Sequence, residues 1–276
     1  MKIFFLSVCL VFLSLLSNSQ SFNFNLFLGT SNYNGDLQDR FFTFKEAHLA
    51  AGAGFSYSFS NRVAIRTNFK IGKVSGDDKK GSNKLRNLNF TSQITEGDID
   101  LQYFLTPLGT HSLTPYIFAG IAIYHFDPYT FDSTGHKYYL KPLSTEGEGF
   151  VSGRSPYKLT QPAIPFGAGV KLWLSDNINA GIEIGFRKLF TDYLDDVSSN
   201  YIDPTILLAN RGAKAVELSY RGDELKEGSP LYPTGTQRGN SVKKDWYYFA
   251  GFTLSFRLLN GNLRSGKELA CPKNVF

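Results

Sequence analysis

From Phe22 onward, apolar and polar residues alternate with a period of two, and the alternation breaks only at turn-like or long polar stretches. Phe22, Phe24, Leu26 and Leu28 share one face, with Asn23 and Asn25 on the other. Ala51, Ala53, Phe55, Tyr57 and Phe59 oppose Gly52, Gly54, Ser56 and Ser58, and after Asn61-Arg62 the residues Val63, Ile65, Phe69 and Ile71 oppose Ala64, Arg66, Asn68 and Lys70. Ile99, Leu101 and Tyr103 then face away from Glu96, Asp98, Asp100 and Gln102. A fifth segment, Tyr116 to Phe126, is apolar on both faces, so its direction stays open. Ile164 to Leu172 alternates with Gly167, Gly169, Lys171 and Trp173, Ile178 to Phe186 with Asn179, Gly181, Glu183, Gly185 and Arg187, and Trp246 to Phe256 with Gly251, Thr253, Ser255 and Arg257. The pattern predicts eight strands of about ten residues, the length a tilted strand needs to cross a bilayer. Pairing Phe59 with Val63 and Leu174 with Ile178 keeps the apolar faces together through the two tight hairpins, where a one-residue slip would reverse every side chain.

The polar faces decide which side is inside. Arg66 and Lys70 share a side with Glu96, Asp98 and Asp100 on the next strand, and Glu183 and Arg187 occupy the matching face of the seventh. Opposite charges on neighbouring strands make a lumen of ion pairs, and an eight-strand barrel has room for side chains and no open channel. The apolar faces then point to lipid. Aromatic residues near the strand ends (Phe22, Tyr57, Phe59 and Phe256; Phe69, Phe166, Trp246 and Tyr248) fit two interfacial girdles. The expected fold is an all-β, eight-stranded antiparallel transmembrane β-barrel. Its turns at Asn61 and Asp176 are short, and the connection over Thr106–Leu113 is modest. The connections Asn32–Ala47, Ser75–Thr91, Asp127–Thr160 and Phe190–Asp245 are long. Such asymmetry places the long loops outside the cell, the short turns and both termini in the periplasm, and the protein in the bacterial outer membrane.

The ends of the chain carry this reading further. Lys2, the apolar run Ile3–Leu16 and Ser17-Asn18-Ser19 read as an export signal over residues 1–19, followed by a barrel over 20–258 and a periplasmic tail over 259–276. Leu6-Ser7-Val8-Cys9 only faintly resembles a lipoprotein box, since apolar sequence continues beyond Cys9. Removing the signal leaves Cys271 alone, so no internal disulfide can form. The 276 residues include 25 Phe, 15 Tyr and a single Met, a poor composition for a helical protein. The net charge of +5 is interspersed, and Lys79–Arg86 reads as a solvated loop, so no nucleic-acid partner is expected.

Several segments resemble a known family. Ser31-Asn32-Tyr33-Asn34-Gly35-Asp36-Leu37, Thr114-Pro115-Tyr116-Ile117-Phe118-Ala119-Gly120 and Phe126-Asp127-Pro128 are three of them. Leu140-Lys141-Pro142-Leu143-Ser144-Thr145-Glu146-Gly147-Glu148-Gly149, Arg187–Ser198 with Thr191-Asp192-Tyr193-Leu194-Asp195-Asp196, and Cys271-Pro272 complete the set. Together they resemble the PorG-like outer-membrane barrels of Bacteroidota associated with the type IX secretion system. That resemblance implies a non-enzymatic accessory that ties the outer membrane to a periplasmic ring of a lipoprotein and its partner. It directs attention to Gly35, Asp36, Pro142, Thr145, Glu146, Gly147, Asp192, Tyr193, Asp195 and Asp196 in the loops, and leaves Arg264, Lys267, Cys271 and Lys273 in the tail for periplasmic contact. Gly251, Leu254 and Phe256 resemble the recognition signal of the barrel-assembly machinery, with Phe249 where a polar residue is more usual.

Chemistry is otherwise sparse. His48, His111, His125 and His136 lack the spacing of a zinc site, and His125 reads as a rim residue. Asp192, Asp195 and Asp196 supply too few oxygens for calcium and read as a turn or solvated loop. No catalytic residue, metal or cofactor is expected. Three classes remain: the secretion accessory, a stand-alone surface barrel acting in adhesion or defence through its loops, and a lipid-modifying enzyme for which no spacing singles out a triad.

Overall fold

A computed structural model of the chain describes residues 21–38, 43, 45–81, 83–228 and 231–260. The expected export signal over 1–19 and the tail residues Arg264, Lys267, Cys271 and Lys273 lie outside them. Ten strands follow in chain order: β1 (Ser21–Asn34), β2 (His48–Ser58), β3 (Val63–Asp77), β4 (Asn89–Phe104), β5 (Leu113–His125), β6 (Pro128–Phe131), β7 (Lys137–Tyr139), β8 (Thr160–Ser175), β9 (Ile178–Leu189) and β10 (Trp246–Asn260). Eight of them close a barrel in the order β3-β2-β1-β10-β9-β8-β5-β4, with β3 pairing β4 and every neighbour antiparallel. The short β6–β7 hairpin is attached to the loop-end extension of β4 through Thr91 and Tyr129. Paired residues can be followed round the wall from Phe22 through Tyr57, Ile65, Leu101, Ala119, Phe166, Phe186 and Tyr248. The path returns to β1 at Asn32, a stagger of ten residues. Strands of a closed barrel must tilt to accommodate such a stagger, by about 35–45°.

The alternation sets the faces as expected. Ile65, Ile99, Leu101, Ile182 and Phe252 point out, with Phe252 72% exposed, while Arg66, Asp98, Asp100, Glu183 and Thr253 are buried inside. The open question of β5 resolves to Tyr116, Phe118, Ala122 and Tyr124 inward and Ile117, Ile121 and Ile123 outward.

Three details differ from the sequence reading. Leu174 does not pair with Ile178. The two-residue turn Asp176-Asn177 makes Ser175 the partner of Ile178, and a bulge between Trp173 and Ser175 absorbs the odd residue so that the faces are preserved. The barrel strands run 11 to 16 residues rather than about ten, with β3 and β4 continuing to Asp77 and from Asn89, and β10 continuing to Asn260. The loop end is not purely irregular: α1 (Pro204–Arg211) and α2 (Ala213–Ser219) lie in the connection between β9 and β10. Asp203 caps α1 by accepting from the Thr205 amide, with Pro204 at its first turn and Gly212 at its end, signals that the all-β composition obscured.

Beyond the outward apolar band the inside-out pattern reverses. Val74, Phe90, Ile94, Tyr124, Phe126, Leu189, Tyr247 and Phe249 point inward near the loop end and form an apolar core with Leu140, Tyr157, Leu194 and Val197 from the loops. Where the outer wall becomes polar, the favourable place for apolar surface is inside. This reversal explains the two-sided apolarity of β5, whose Tyr124 belongs to that core.

Candidate functional site

The lumen holds one connected set of charges. Arg66 donates to Asp100 through Nε and Nη2 (2.8 Å at the shortest) and through Nη1 to Glu183 at 2.5 Å, while Tyr116 Oη donates to the same Glu183 oxygen at 2.7 Å. Lys70 pairs with Asp98 at 3.2 Å, and Asn68 bridges Asp98 and Asp100. Arg187 takes Glu96 in a two-point grip at 2.7 and 2.9 Å, with Tyr247 Oη donating to Glu96 at 2.6 Å. Phe118 and Phe249 cover the two guanidiniums at 4.9 and 4.6 Å. Gly185 makes room, since a Cβ there would stand 2.7 Å from Arg187 Nη1 and 2.8 Å from Phe118. All seven charged residues expected in the lumen are in this set. Lys171 lines the same space, over the rings of Phe104 and Tyr116, and brings four cations against four carboxylates. It stands on the inward face in the sequence, and only the register shows that it completes the charge balance. The pocket beside Arg66, Asn68, Lys70, Tyr116, Lys171 and Glu183 is about 10 Å³, about the room of one water.

Above this plug the loops form a buried polar cap, and the segments carrying the family resemblance build it. Glu146 Oε1 accepts from the Ser198 amide and from Arg238 Nη1, both at 2.9 Å, and its Oε2 accepts from the Ser199 amide and hydroxyl at 2.8 and 2.6 Å. Thr145 Oγ1 and Tyr157 Oη donate to the two Asp196 oxygens at 2.6 and 2.7 Å. Tyr33 Oη bridges Asp195 at 2.5 Å and Asp245 at 3.2 Å, and Tyr193 stacks on Tyr157 at 4.9 Å. Asp36 accepts from the Asn240 amide, and its carbonyl accepts from Arg86. Gly35 lies against Tyr33 and Asp245, Gly147 adopts a φ of 85° that disfavours other residues, and Pro142 sits exposed in a 3-10 turn over Lys141–Leu143.

Two expectations are corrected here. Asp192, Asp195 and Asp196 are not a solvated loop: they are 2%, 1% and 0% exposed, because the core beneath draws the whole segment inward through Leu194 and Val197. Lys79–Arg86 is not wholly solvated either, since Arg86 is largely buried, pairs with Asp78 at 2.7 Å and ties that loop to Asp36 and Arg238. Burial raises the Asp192 carboxyl to about 7 and Asp196 to about 6, and burial together with Asp196 and Glu146 raises Glu148 to about 8. Asp195 and Asp245 are also raised by burial, and each further by neighbouring carboxylates. Among the described residues, no three His, Cys, Asp or Glu converge as a metal site requires.

Gly251, Leu254 and Phe256 lie on β10, which closes the barrel on β1: Gly251 faces Gly29, and Leu254 and Phe256 pair outward with Leu26 and Phe24. Phe249, the departure from the assembly pattern, points inward into the loop-end core. His125 is an exposed rim residue bonded to Thr160.

Solved structures that resemble the chain include neisserial surface protein A (8% identity, 86% of this chain and 98% of that one, TM-score 0.43). Others are the attachment invasion locus protein Ail of Yersinia pestis (8%, 87% and 99%, 0.42) and the outer membrane protein OprG of Pseudomonas aeruginosa (11%, 87% and 99%, 0.40). No curated protein matches the sequence. A family model matches residues 1–206, three quarters of the chain and all the cap segments up to α1, and the protein therefore belongs to the family described as Domain of unknown function (DUF6089).

Proposed function

We propose that this protein is an integral outer-membrane barrel, with its loop end outside the cell and the ends of β1 and β10 in the periplasm, acting as a non-enzymatic accessory of type IX secretion. The membrane assignment is carried by one observation. Large apolar side chains, among them Leu28, Phe69, Leu101, Ile121, Ile182 and Phe252, are exposed round the outside of a wall whose inside is charged. Water disfavours such a surface and lipid favours it. The secretion role rests on the resemblance, and what supports it is that its distinctive segments interlock in one cap through Glu146, Asp195 and Asp196. In this role the barrel would anchor a periplasmic ring through its short turns and tail, and the barrel-assembly machinery would insert it through β10.

A second reading, a stand-alone surface barrel, is favoured by the open cavity of about 620 Å³ in the cap beside Arg86, Tyr201, Tyr220 and Arg238. The secreted proteome of a strain lacking the gene separates the two. Cargo held in the periplasm and released on complementation supports the secretion role, and an unchanged secretome removes it in favour of the surface barrel.

A further inference from the structure

A groove of about 440 Å³ lies on the outside of the barrel, lined by Lys73, Gln93, Thr95, His125 and Asp127 of the wall and by Tyr129, Lys137 and Tyr139 of the β6–β7 hairpin. Its level is set by the register. Lys73 pairs with Gln93, and Thr95 with Ile71 and His125, so along each strand the polar groups follow at once on the apolar band: Lys73 after Ile71, Thr95 and then Gln93 beyond Gly97, and His125 after Ile123. Ile123 is 65% exposed directly below. The hairpin overhangs this edge because β6 pairs with the extension of β4 above the end of β5. Lys137 Nζ is held over the rings of Tyr129 and Tyr139 at 3.7 and 4.4 Å and donates to Tyr139 Oη at 3.0 Å. Among the described residues, neither Lys73 nor Lys137 forms an ion pair with a carboxylate. Asp127 is the one acid lining the groove, with His125, Lys137 and Lys141 near it.

We propose that this groove binds the phosphorylated headgroup of an outer-leaflet lipid. Lys73 and Lys137 take the phosphate from two sides, Gln93, Thr95 and His125 offer further polar contacts, and the acyl chains run down over Ile71 and Ile123. The chemistry fits: two ammonium groups without a carboxylate partner among the described residues, Lys137 with its two tyrosine rings and Lys73 on the wall, lie at the boundary between an apolar wall and a polar rim, and a phosphate with attached chains matches both halves. The assignment rests on the reading of the protein as an outer-membrane barrel with its loop end outward.

The test uses the full chain folded into phosphatidylcholine nanodiscs doped with diphosphoryl lipid A, or with the same lipid enzymatically stripped of phosphate, and measures tightly retained lipid by native mass spectrometry. The wild type should retain the phosphorylated form preferentially. Lys73→Gln with Lys137→Gln should weaken retention about 25-fold, about fivefold per lysine. Lys188→Gln, an exposed lysine on β9 away from the groove, should leave retention unchanged, and Lys73→Arg with Lys137→Arg should preserve it. Equal retention of the two lipids, or a Gln double variant that retains lipid like the wild type, overturns the proposal. Displacement by inorganic phosphate as readily as by lipid A overturns the lipid as occupant. The mobility difference between unheated and boiled samples is followed throughout: its absence in the wild type would sink the membrane reading itself, whereas a normal shift without phosphate discrimination sinks the groove alone.

Discussion

Glu146 shows how much a single buried carboxylate can organise. It accepts from two successive backbone amides, a hydroxyl and a guanidinium, and so ties the loop after β7 to the segment after β9 and to Arg238. Glu146→Ala would leave Arg238 buried without its partner, a change that costs about 3–5 kcal/mol when a buried pair is broken. Limited proteolysis should therefore cut within residues 190–200 in the variant and spare the wild type, while the compact mobility of the barrel persists. The carboxyls around it make the cap sensitive to pH. Their folded values lie above the ordinary value of about 4, so the folded cap holds protons that the unfolded segment would release. Their stabilisation is present in full below about 4, and it is lost as pH rises through about 6 for Asp196, 7 for Asp192 and 8 for Glu148. Hydrogen exchange of the 190–200 amides, corrected for intrinsic rate, should be faster at pH 8 than at pH 5, and Asp192→Asn should flatten that difference. The opposite slope would refute the assignment of neutral buried carboxyls. The sequence displays Glu146 and Asp196 as loop residues. It carries no local signal that they are buried, because their partners are 39 to 92 positions away.

At the level of elements, each barrel strand serves two environments in succession. On β3, Arg66, Asn68 and Lys70 fill a charged lumen, and two turns of the alternation later Val74 enters an apolar core. The alternation itself was legible throughout, since a period of two needs only local information. The change in what lies inside was not, because it depends on where the outer wall leaves lipid for water. The same cause hid the faces of β5. The helices were missed for a different reason: Asp203-Pro204-Thr205 and Gly212 mark α1 clearly, but whole-chain composition argued for strands. Ile182, in the middle of the outward stripe of β9 and paired with Phe252 and Val170, tests the wall directly. Ile182→Arg should destabilise the folded barrel by about 2–4 kcal/mol in a bilayer, read from urea titration in vesicles. A neutral result would contradict a lipid-facing position.

For the whole molecule, the decisive property is closure. Ten residues of stagger over eight strands leave a narrow interior; Arg66, Arg187 and their partners fill its middle, and the space left beside Arg66, Lys70, Lys171 and Glu183 is about 10 Å³. A barrel so filled should show no steady conductance in planar bilayers, and ion-conducting steps from the wild type would contradict the plug. Glu183→Ala together with Arg66→Ala, which removes the central pair at little change in net charge, should be the variant in which leakage first appears. Local pattern along the chain is enough for the eight barrel strands, the inward and outward residues of seven of them and seven of the eight lumen charges, since these follow from alternation and turn length between near neighbours. The stagger, the direction of β5, the role of Lys171, the burial of the acidic loop and the groove beneath the β6–β7 hairpin came from the folded chain alone. Each of these depends on which distant residues the closed wall brings to the same height, and a local pattern along the chain contains no measure of height.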